Sequence, residues 1–563
     1  MPSRIYHSLY PPVKLIDSDL LTYLFSNPRN TPDDKPIFID AVTGASRSYG
    51  EIKRRTRSLA HGLRELGVKP KDVVALFSPN SIDYAILCYG IIGCGATVSP
   101  VSAAYTPLEL AAQLETSGTR FLIAHSSLHP TAAQAVKKSN PAIQIIQAEG
   151  VRGKNGNPTA EALASDCPPS PLVSIEPSEA EDRLCFMCFS SGTTGRAKGV
   201  MTTHKNLVSN IQQWDAQLPT ETTGKQTTVA FLPFSHIYGL TSFVAMNTFV
   251  GNTAVVLSRF DLELFLSSIQ KYRPEMVNVV PPVMLLMAKH PLMKKYDLSS
   301  LQRVFSAAAP LSNELREAVE ARFKELYGTN LLGLQAWGMT ETSPLGAIVP
   351  PTRPDKRHTV GCITPNMEYR VVDPDTMQDT GYESDGSAVP GELWLRGPNV
   401  TKGYYRNEEA TKSGFASDEE GKLWFRTGDI GTIDKDGFLT IVDRIKEMFK
   451  YKGLQVIPSE LEGKLLEHPD VEDSCVVPQW VEEQATHVPV GFVVISQKAK
   501  ARGQKNVVAD IDKWLNARVA NHKKLRGGIH VIDAVPKSPS GKILRRELAA
   551  MLKESSARSG SKL

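Results

Sequence analysis

The chain is 563 residues long, beyond the size at which a single hydrophobic core stops growing, so two or more domains are expected. Hydrophobic residues make up 41% and charged residues 22%, which excludes the disordered and fibrous classes. A formal net charge of +4 is too small for this length to describe a nucleic-acid surface spread over the molecule.

The N-terminal MPSRIYHSLYPPVKL lacks the apolar core of a secretory signal. From about residue 49 to 440, short β-rich apolar runs alternate with helix-period segments, the pattern of an α/β architecture. VVALF (73–77), LCFMCF (184–189), TVAFLP (228–233), MVNVV (276–280) and RVFSAA (303–308) read as strands. SLAHGLRELG, HKNLVSNIQQW, LELFLSSIQKY and LSNELREAVEARF read as amphipathic helices between them. The longest apolar stretch, AILCYGIIGCGATV at 85–98, is shorter than the ~20 residues of a membrane span and carries Gly90, Gly93 and Gly95. It reads as a buried helix and strand, and no transmembrane segment is expected. Cys185 and Cys188 form the one close cysteine pair, and no second pair completes a zinc site, so packing in a reducing compartment is expected.

Beyond about residue 365, short strands punctuated by glycine and aspartate, MEYRVVD, GELWLRG and FLTIVD, suggest antiparallel sheet or a small barrel. A basic, hinge-like segment DRIKEMFKYKG (443–453) follows, with Arg444, Lys446, Lys450 and Lys452. A compact mix of helix PSELEGKLLE, strands CVVPQW and VPVGFVVIS, and helix VVADIDKWLNARVANH then forms a smaller unit. The expected organisation is an α/β fold: a large N-terminal domain of α/β subdomains plus a small barrel over 1–443, a hinge at 444–447, and a small mobile α+β domain over 448–563.

The strongest chemical signal is FSSGTTGRAKGV, Phe189 to Val200, directly after an apolar strand. Gly192 and Gly195 allow close backbone approach, Ser190, Ser191, Thr193 and Thr194 offer hydroxyls, and Lys198 offers charge, a combination suited to phosphates. A P-loop NTPase is excluded by spacing: two residues separate the glycines, and Lys198 is followed by Gly199 rather than Ser or Thr.

The loop resembles the phosphate-binding signature of the acyl-adenylate-forming superfamily, and further blocks follow in that family's order. They are LPFSHIYGL (232–240), SAAAPLS (306–312), QAWGMTET (335–342), GELWLRGPNVTKGYY (391–405), FRTGDIG (425–431), DRIKEMFKYKGLQVIPSELE (443–462) and PKSPSGKILRREL (536–548). The likeness is nearest to the 4-coumarate:CoA ligase and luciferase-like branch.

That resemblance implies ATP, Mg²⁺ and CoA as cofactors and co-substrates, with a small carboxylic acid as substrate. Adenylation brings a carboxylate against the α-phosphate, so cations are needed at the reacting centre. By resemblance, Lys542 supplies one from the small domain. Glu341 would hold Mg²⁺, with Thr340 donating to a phosphate. Asp429 would accept from the ribose hydroxyls beside Arg444. Gln335, Ala336 and Trp337, with Ala308, Ala309 and Pro310, would wall the adenine. His236, which by itself reads equally as a core histidine, would gate the acid and orient its carboxylate. Tyr238, Ala307, Ala336, Gly338, Pro344 and Leu345 would line the acid pocket. Lys446 would be the hinge about which Lys542 leaves, bringing Lys450 and Gln455 to the adenylate for the thiol step. Arg259, Lys450, Lys452 and Gly453 would contact CoA.

In two places the chain departs from its relatives. Where 4-coumarate ligases carry Ser-Gly-Ala-Ala-Pro and Gly-Tyr-Gly-Met, this chain has Ala307 and Ala336 in place of glycines. One methylene in an apolar pocket shifts discrimination by about 1–3 kcal/mol, so cinnamate-like acids are in doubt and aromatic or medium-chain acids stay open. Two other enzyme readings share these motifs: luciferase-like monooxygenation, and a stand-alone adenylation enzyme loading a carrier protein. The ending Ser561-Lys562-Leu563 matches the tripeptide read by the peroxisomal import receptor, which predicts residence in the peroxisomal matrix.

Overall fold

The computed structural model describes residues 4–151, 158–190, 197–217, 224–452, 454–484, 486–538 and 541–560. Ser191, Gly192, Thr193, Thr194 and Gly195 of the phosphate loop, Gly453 and the Ser561–Leu563 tripeptide lie outside these residues.

The predicted α/β alternation is present. Val73–Phe77, buried at every position, pairs in parallel with Thr97–Val101 and Phe121–Ala124 at the centre of a six-stranded sheet. A strand covered on both faces has no solvent side, which is why its sequence is a continuous apolar run. The 85–98 stretch is a fully buried helix, Tyr84–Gly93, followed by the strand Thr97–Val101. Cys185 and Cys188 are buried in the strand Leu184–Ser190, burial pushes both thiols up, and Cys185 donates weakly to the Thr202 carbonyl.

A second, eleven-stranded sheet begins with three parallel strands, Met276–Val279, Arg303–Ser306 and Leu332–Gly338. It continues through antiparallel strands that include Gly391–Arg396, Leu423–Ile433 and Phe438–Arg444. The antiparallel part expected from the glycine-rich motifs is thus hydrogen-bonded to the parallel part without a break. Loops after the parallel strands open at their carboxyl ends, where open α/β sheets place ligands.

The chain leaves this sheet at Arg444, turns, and forms the hairpin Phe449–Tyr451 and Leu454–Val456. The remainder builds a three-stranded sheet, Val471–Val481, Thr486–Ile495 and Ile529–Val531, packed by helices that include Pro458–Leu466 and Gln504–Asn516. Its apolar residues cluster apart from those of the large domain, around Val456, Leu461, Val476, Val493, Ile511 and Leu515. The unit therefore has an apolar core of its own, as a separate domain does. In this structure Asp443 tethers it, accepting from both the amide and the hydroxyl of Ser459 at 3.1 and 2.9 Å. Among the described residues no helix is long and apolar enough to cross a membrane.

Candidate active site

A cleft of about 1680 Å³ lies where the two large sheets and the small domain meet. Most of the residues expected from the motifs line it. From the glycine-rich motif come Ser190 and Lys198, from the later motifs Ala308, Ala309, Pro310, Gln335, Ala336, Trp337, Thr340, Glu341, Asp429 and Arg444, and from the small domain Lys542. His236, Tyr238, Ala307, Gly338, Pro344 and Leu345 line it as well, and so does Lys446.

Local structure explains these placements. Ser190 and Lys198 face one another across the antiparallel pair Leu184–Ser190 and Lys198–Thr203, so the two strands that flank the glycine-rich segment are direct neighbours. Ala307 to Pro310 follow the strand Arg303–Ser306 directly, and Ala308 adopts φ +71°, a left-handed conformation costly for a residue with a Cβ. Such strain concentrates where surroundings over-determine the backbone. Gly338 is required by close approach: a Cβ there would collide with the Pro344 carbonyl.

The charged groups are tied into one network. Asp429 and Arg444 are cross-strand partners, and Arg444 Nε lies 2.9 Å from Asp429 Oδ1. Trp337 Nε1 donates to the other carboxylate oxygen at 2.9 Å. Trp337 is therefore a buried support for Asp429 as well as a wall residue, and Asp429 keeps only its remaining lone pairs for a ligand. Glu341 Oε1 accepts from Tyr404 Oη at 3.0 Å and from Ser190 Oγ at 3.3 Å, while Lys198 Nζ stands 4.8 Å from the Tyr404 ring centre. Burial and the Glu341 carboxylate push the Tyr404 phenol well up, so it stays a donor. Sequence reasoning missed Tyr404: it stands in the GYY block, but its partner is distant in the chain. A carboxylate with one oxygen fixed by a phenol suits a hard cation that keeps other oxygens from substrate and water.

Lys542 reaches the cleft on a loop whose Gly541 takes φ +82° and fits against Val280, which an added Cβ would approach to 3.1 Å. Burial, and next the Arg444 charge, pull the Lys542 ammonium below its ordinary range, while Glu447, Asp429 and Glu341 oppose the shift. His236 is pushed down to about 4, first by burial and then by Lys542, so it is neutral at pH 7. Its Nδ1 accepts from the Tyr238 amide at 3.3 Å, which leaves the proton on Nε2.

Four expected residues lie elsewhere. Lys450 and Gln455 are paired across their hairpin and exposed, Lys452 is exposed beside them, and Arg259 is exposed; none of the four lines the cleft.

The AMP-binding enzyme family model matches residues 24–405, and the model of its C-terminal domain matches 460–542. The chain belongs to this family. Within it, the chain stands in the 4-coumarate:CoA ligase-like branch of the acyl-adenylate-forming superfamily and is an acid–thiol ligase of the AMP-forming kind. It is 37% identical to 4-coumarate–CoA ligase-like 1 of Arabidopsis thaliana, over 97% of this chain and 96% of that one. The peroxisomal OPC-8:0-CoA ligase 1 of the same plant is 36% identical over 91% of this chain and 89% of its own. The ATP-bound MatB structure from Rhodopseudomonas palustris superposes with a TM-score of 0.81 over 96% of this chain and 99% of that one at 24% identity, a likeness of fold.

Proposed function

We propose that this acid:CoA ligase condenses an aromatic or medium-chain carboxylic acid with ATP to an acyl-adenylate and pyrophosphate, then transfers the acyl group to the thiol of CoA, releasing AMP. The observation that carries this reading is Lys542 held inside the cleft beside Arg444, Asp429 and Glu341. A fixed ammonium there offsets the repulsion between the acid carboxylate and the α-phosphate as the new bond forms, and stabilises the charge that develops. The Nε2–H of neutral His236 orients the carboxylate from the acid side. Asp429, braced by Trp337 and Arg444, receives the ribose, and Ser190, Lys198 and Thr340 take the phosphates together with the adjoining glycine-rich loop. Glu341 would hold Mg²⁺ on the ATP oxygens, and the bound ion would neutralise phosphate charge. Ala307 and Ala336 both line the cleft, which supports an acid slot narrower than glycines would leave.

The exposed Lys450 and Gln455 fit a second conformation, reached by turning the residue 448–563 unit about 444–447, in which they replace Lys542 and Lys452, Gly453 and Arg259 meet CoA. The peroxisomal matrix is the compartment we assign, on the location named for one relative. Imaging of the tagged chain, with and without Ser561–Leu563, tests that assignment.

The deciding assay measures pyrophosphate and AMP release over a panel of acids, with and without CoA. Acid-dependent pyrophosphate release, with AMP turnover that requires CoA, is the expected result. Turnover with a phosphopantetheinyl carrier protein but not CoA, or light emission with luciferin and oxygen, would replace it.

A further inference from the structure

The loop that carries Lys542 into the cleft rests on the large domain. Gly541 packs against Val280 and Pro282, which an added Cβ would meet at 3.1 and 3.4 Å. These residues open the helix Pro281–Lys289, and the last residue of that helix touches the small domain again: Lys289 Nζ donates to the Val471 carbonyl at 3.2 Å. At 1.5 Å of rise per residue the two contacts stand about 13 Å apart.

On the small domain both contacts fall on one tied piece. Val471 opens the strand Val471–Val481, and a bulge disrupts its ladder between Val471 and Asp473, at the carbonyl that Lys289 meets. Asp473 accepts from Lys537 Nζ at 2.5 Å, and Lys537 pairs with Ile543 across the Lys542 loop. On the large domain, Arg322 of the helix Asn313–Tyr327 donates to the Ala288 and His290 carbonyls at 2.6 and 2.9 Å, which fixes the helix end that carries Lys289. Charges match across the seam. The Glu472 and Asp473 carboxylates act on Lys289, and Glu314 of the large domain acts on Lys464 of the small one. Lys289 is itself exposed and stands outside the cleft, so its role is not to touch substrate.

We propose that Lys289 is a positioning residue for adenylation: together with Val280 at the other end of its helix, its bond to the Val471 carbonyl sets the angle at which the small domain docks and so aims Lys542. The inference rests on the reading of Lys542 as the adenylating cation. One contact at Val280 would leave the domain free to pivot about it, and a second contact at the far end of the helix removes that freedom. Aim matters because a misplacement of about 1 Å, caused far from the chemistry, can cost on the order of 10²-fold in rate. The same bond must break before the domain turns for the thiol step, so Lys289 favours one half-reaction and opposes the other.

Lys289→Met keeps the aliphatic stem and deletes the donor. In single-turnover assays of the full-length protein with ATP, Mg²⁺ and the best acid of the panel, it should slow pyrophosphate release about five- to twentyfold at saturating substrate, as the loss of one charged hydrogen bond at the docking seam implies. The KM values for ATP and acid and the melting temperature should change little, and acyl transfer to CoA from supplied acyl-adenylate should be as fast or faster. Lys289→Arg, which can still donate to the carbonyl, should recover most of the loss. Asp473→Asn, which weakens the tie between Val471 and the Lys542 loop, should give the same split between half-reactions, and it decides the matter if the methionine variant does not fold. A loss shared equally by both half-reactions, a loss in neither, or one that arginine does not relieve overturns the inference while leaving the ligase reading intact. Failure of the unaltered protein to release pyrophosphate with any acid overturns both.

Discussion

At the scale of single residues, the proposed division of work between Lys542, in the cleft, and Lys450, exposed outside it, is open to direct test. Lys542→Ala removes the preorganised cation from the reacting centre and should lower adenylation by roughly 10²–10³, while thioester formation from supplied acyl-adenylate survives. Lys450→Ala should give the opposite pattern, and single-turnover assays of each half-reaction separate the two. Trp337→Phe keeps the ring and deletes the bond to Asp429, a charge-assisted interaction worth about 1.5–3 kcal/mol. Its expected signature is a raised KM for ATP with the acid KM little changed. His204 carries a pH effect on stability. It is buried, its Nδ1 accepts from the Leu20 amide at 2.9 Å, and burial pushes it down to about 4. Between about pH 4 and 6.5 the unfolded chain binds the proton that the folded chain refuses, so stability is complete above that window and falls as pH drops through it. The contribution at full titration is on the order of 3 kcal/mol. Melting curves across the window should flatten in His204→Gln. Glu462, raised to about 7 by burial, acts in the opposite sense between pH 4.5 and 7, so the comparison must be with the parent chain at each pH.

At the scale of elements, the loop that delivers Lys542 depends on Gly541. An alanine there meets both a left-handed backbone and the Val280 side chain, a strain of about 1–2 kcal/mol. Gly541→Ala should therefore slow adenylation roughly five- to thirtyfold yet spare the thiol step, as half-reaction assays would read. What the sequence disclosed and what it hid also divide at this scale. The runs at 73–77 and 184–189 were legible because strands buried on both faces need unbroken apolar stretches. The motif residues of the cleft were legible because phosphate and carboxylate chemistry demands particular side chains in short order. Tyr404 with Glu341, and Trp337 with Asp429, were not: each contact joins segments far apart in the chain and leaves no period behind. The π-helix Leu240–Ala245 after His236 left no signal for another reason, since a helix pattern of period 3.6 does not reveal a local widening to i+5.

At the scale of the whole molecule, the small domain has its own apolar core, and the polar ties that hold it here include Asp443 with Ser459, Lys289 Nζ donating to the Val471 carbonyl at 3.2 Å, and Arg545 with Glu447 of the connecting segment. Arg545 joins the Lys542 loop to the segment just past Arg444, so repositioning one end of the domain must alter the other. The exposure of the Lys450–Gln455 hairpin gives this arrangement an optical and mass-spectrometric handle. A brief pulse of an amine-acylating reagent should tag Lys450 and spare Lys542 while the present geometry is populated, and the ratio of the two tagged peptides becomes a ruler of domain orientation. Addition of AMP with a non-hydrolysable thioester mimic should invert that ratio, turning two lysines into a label-based readout of the catalytic cycle.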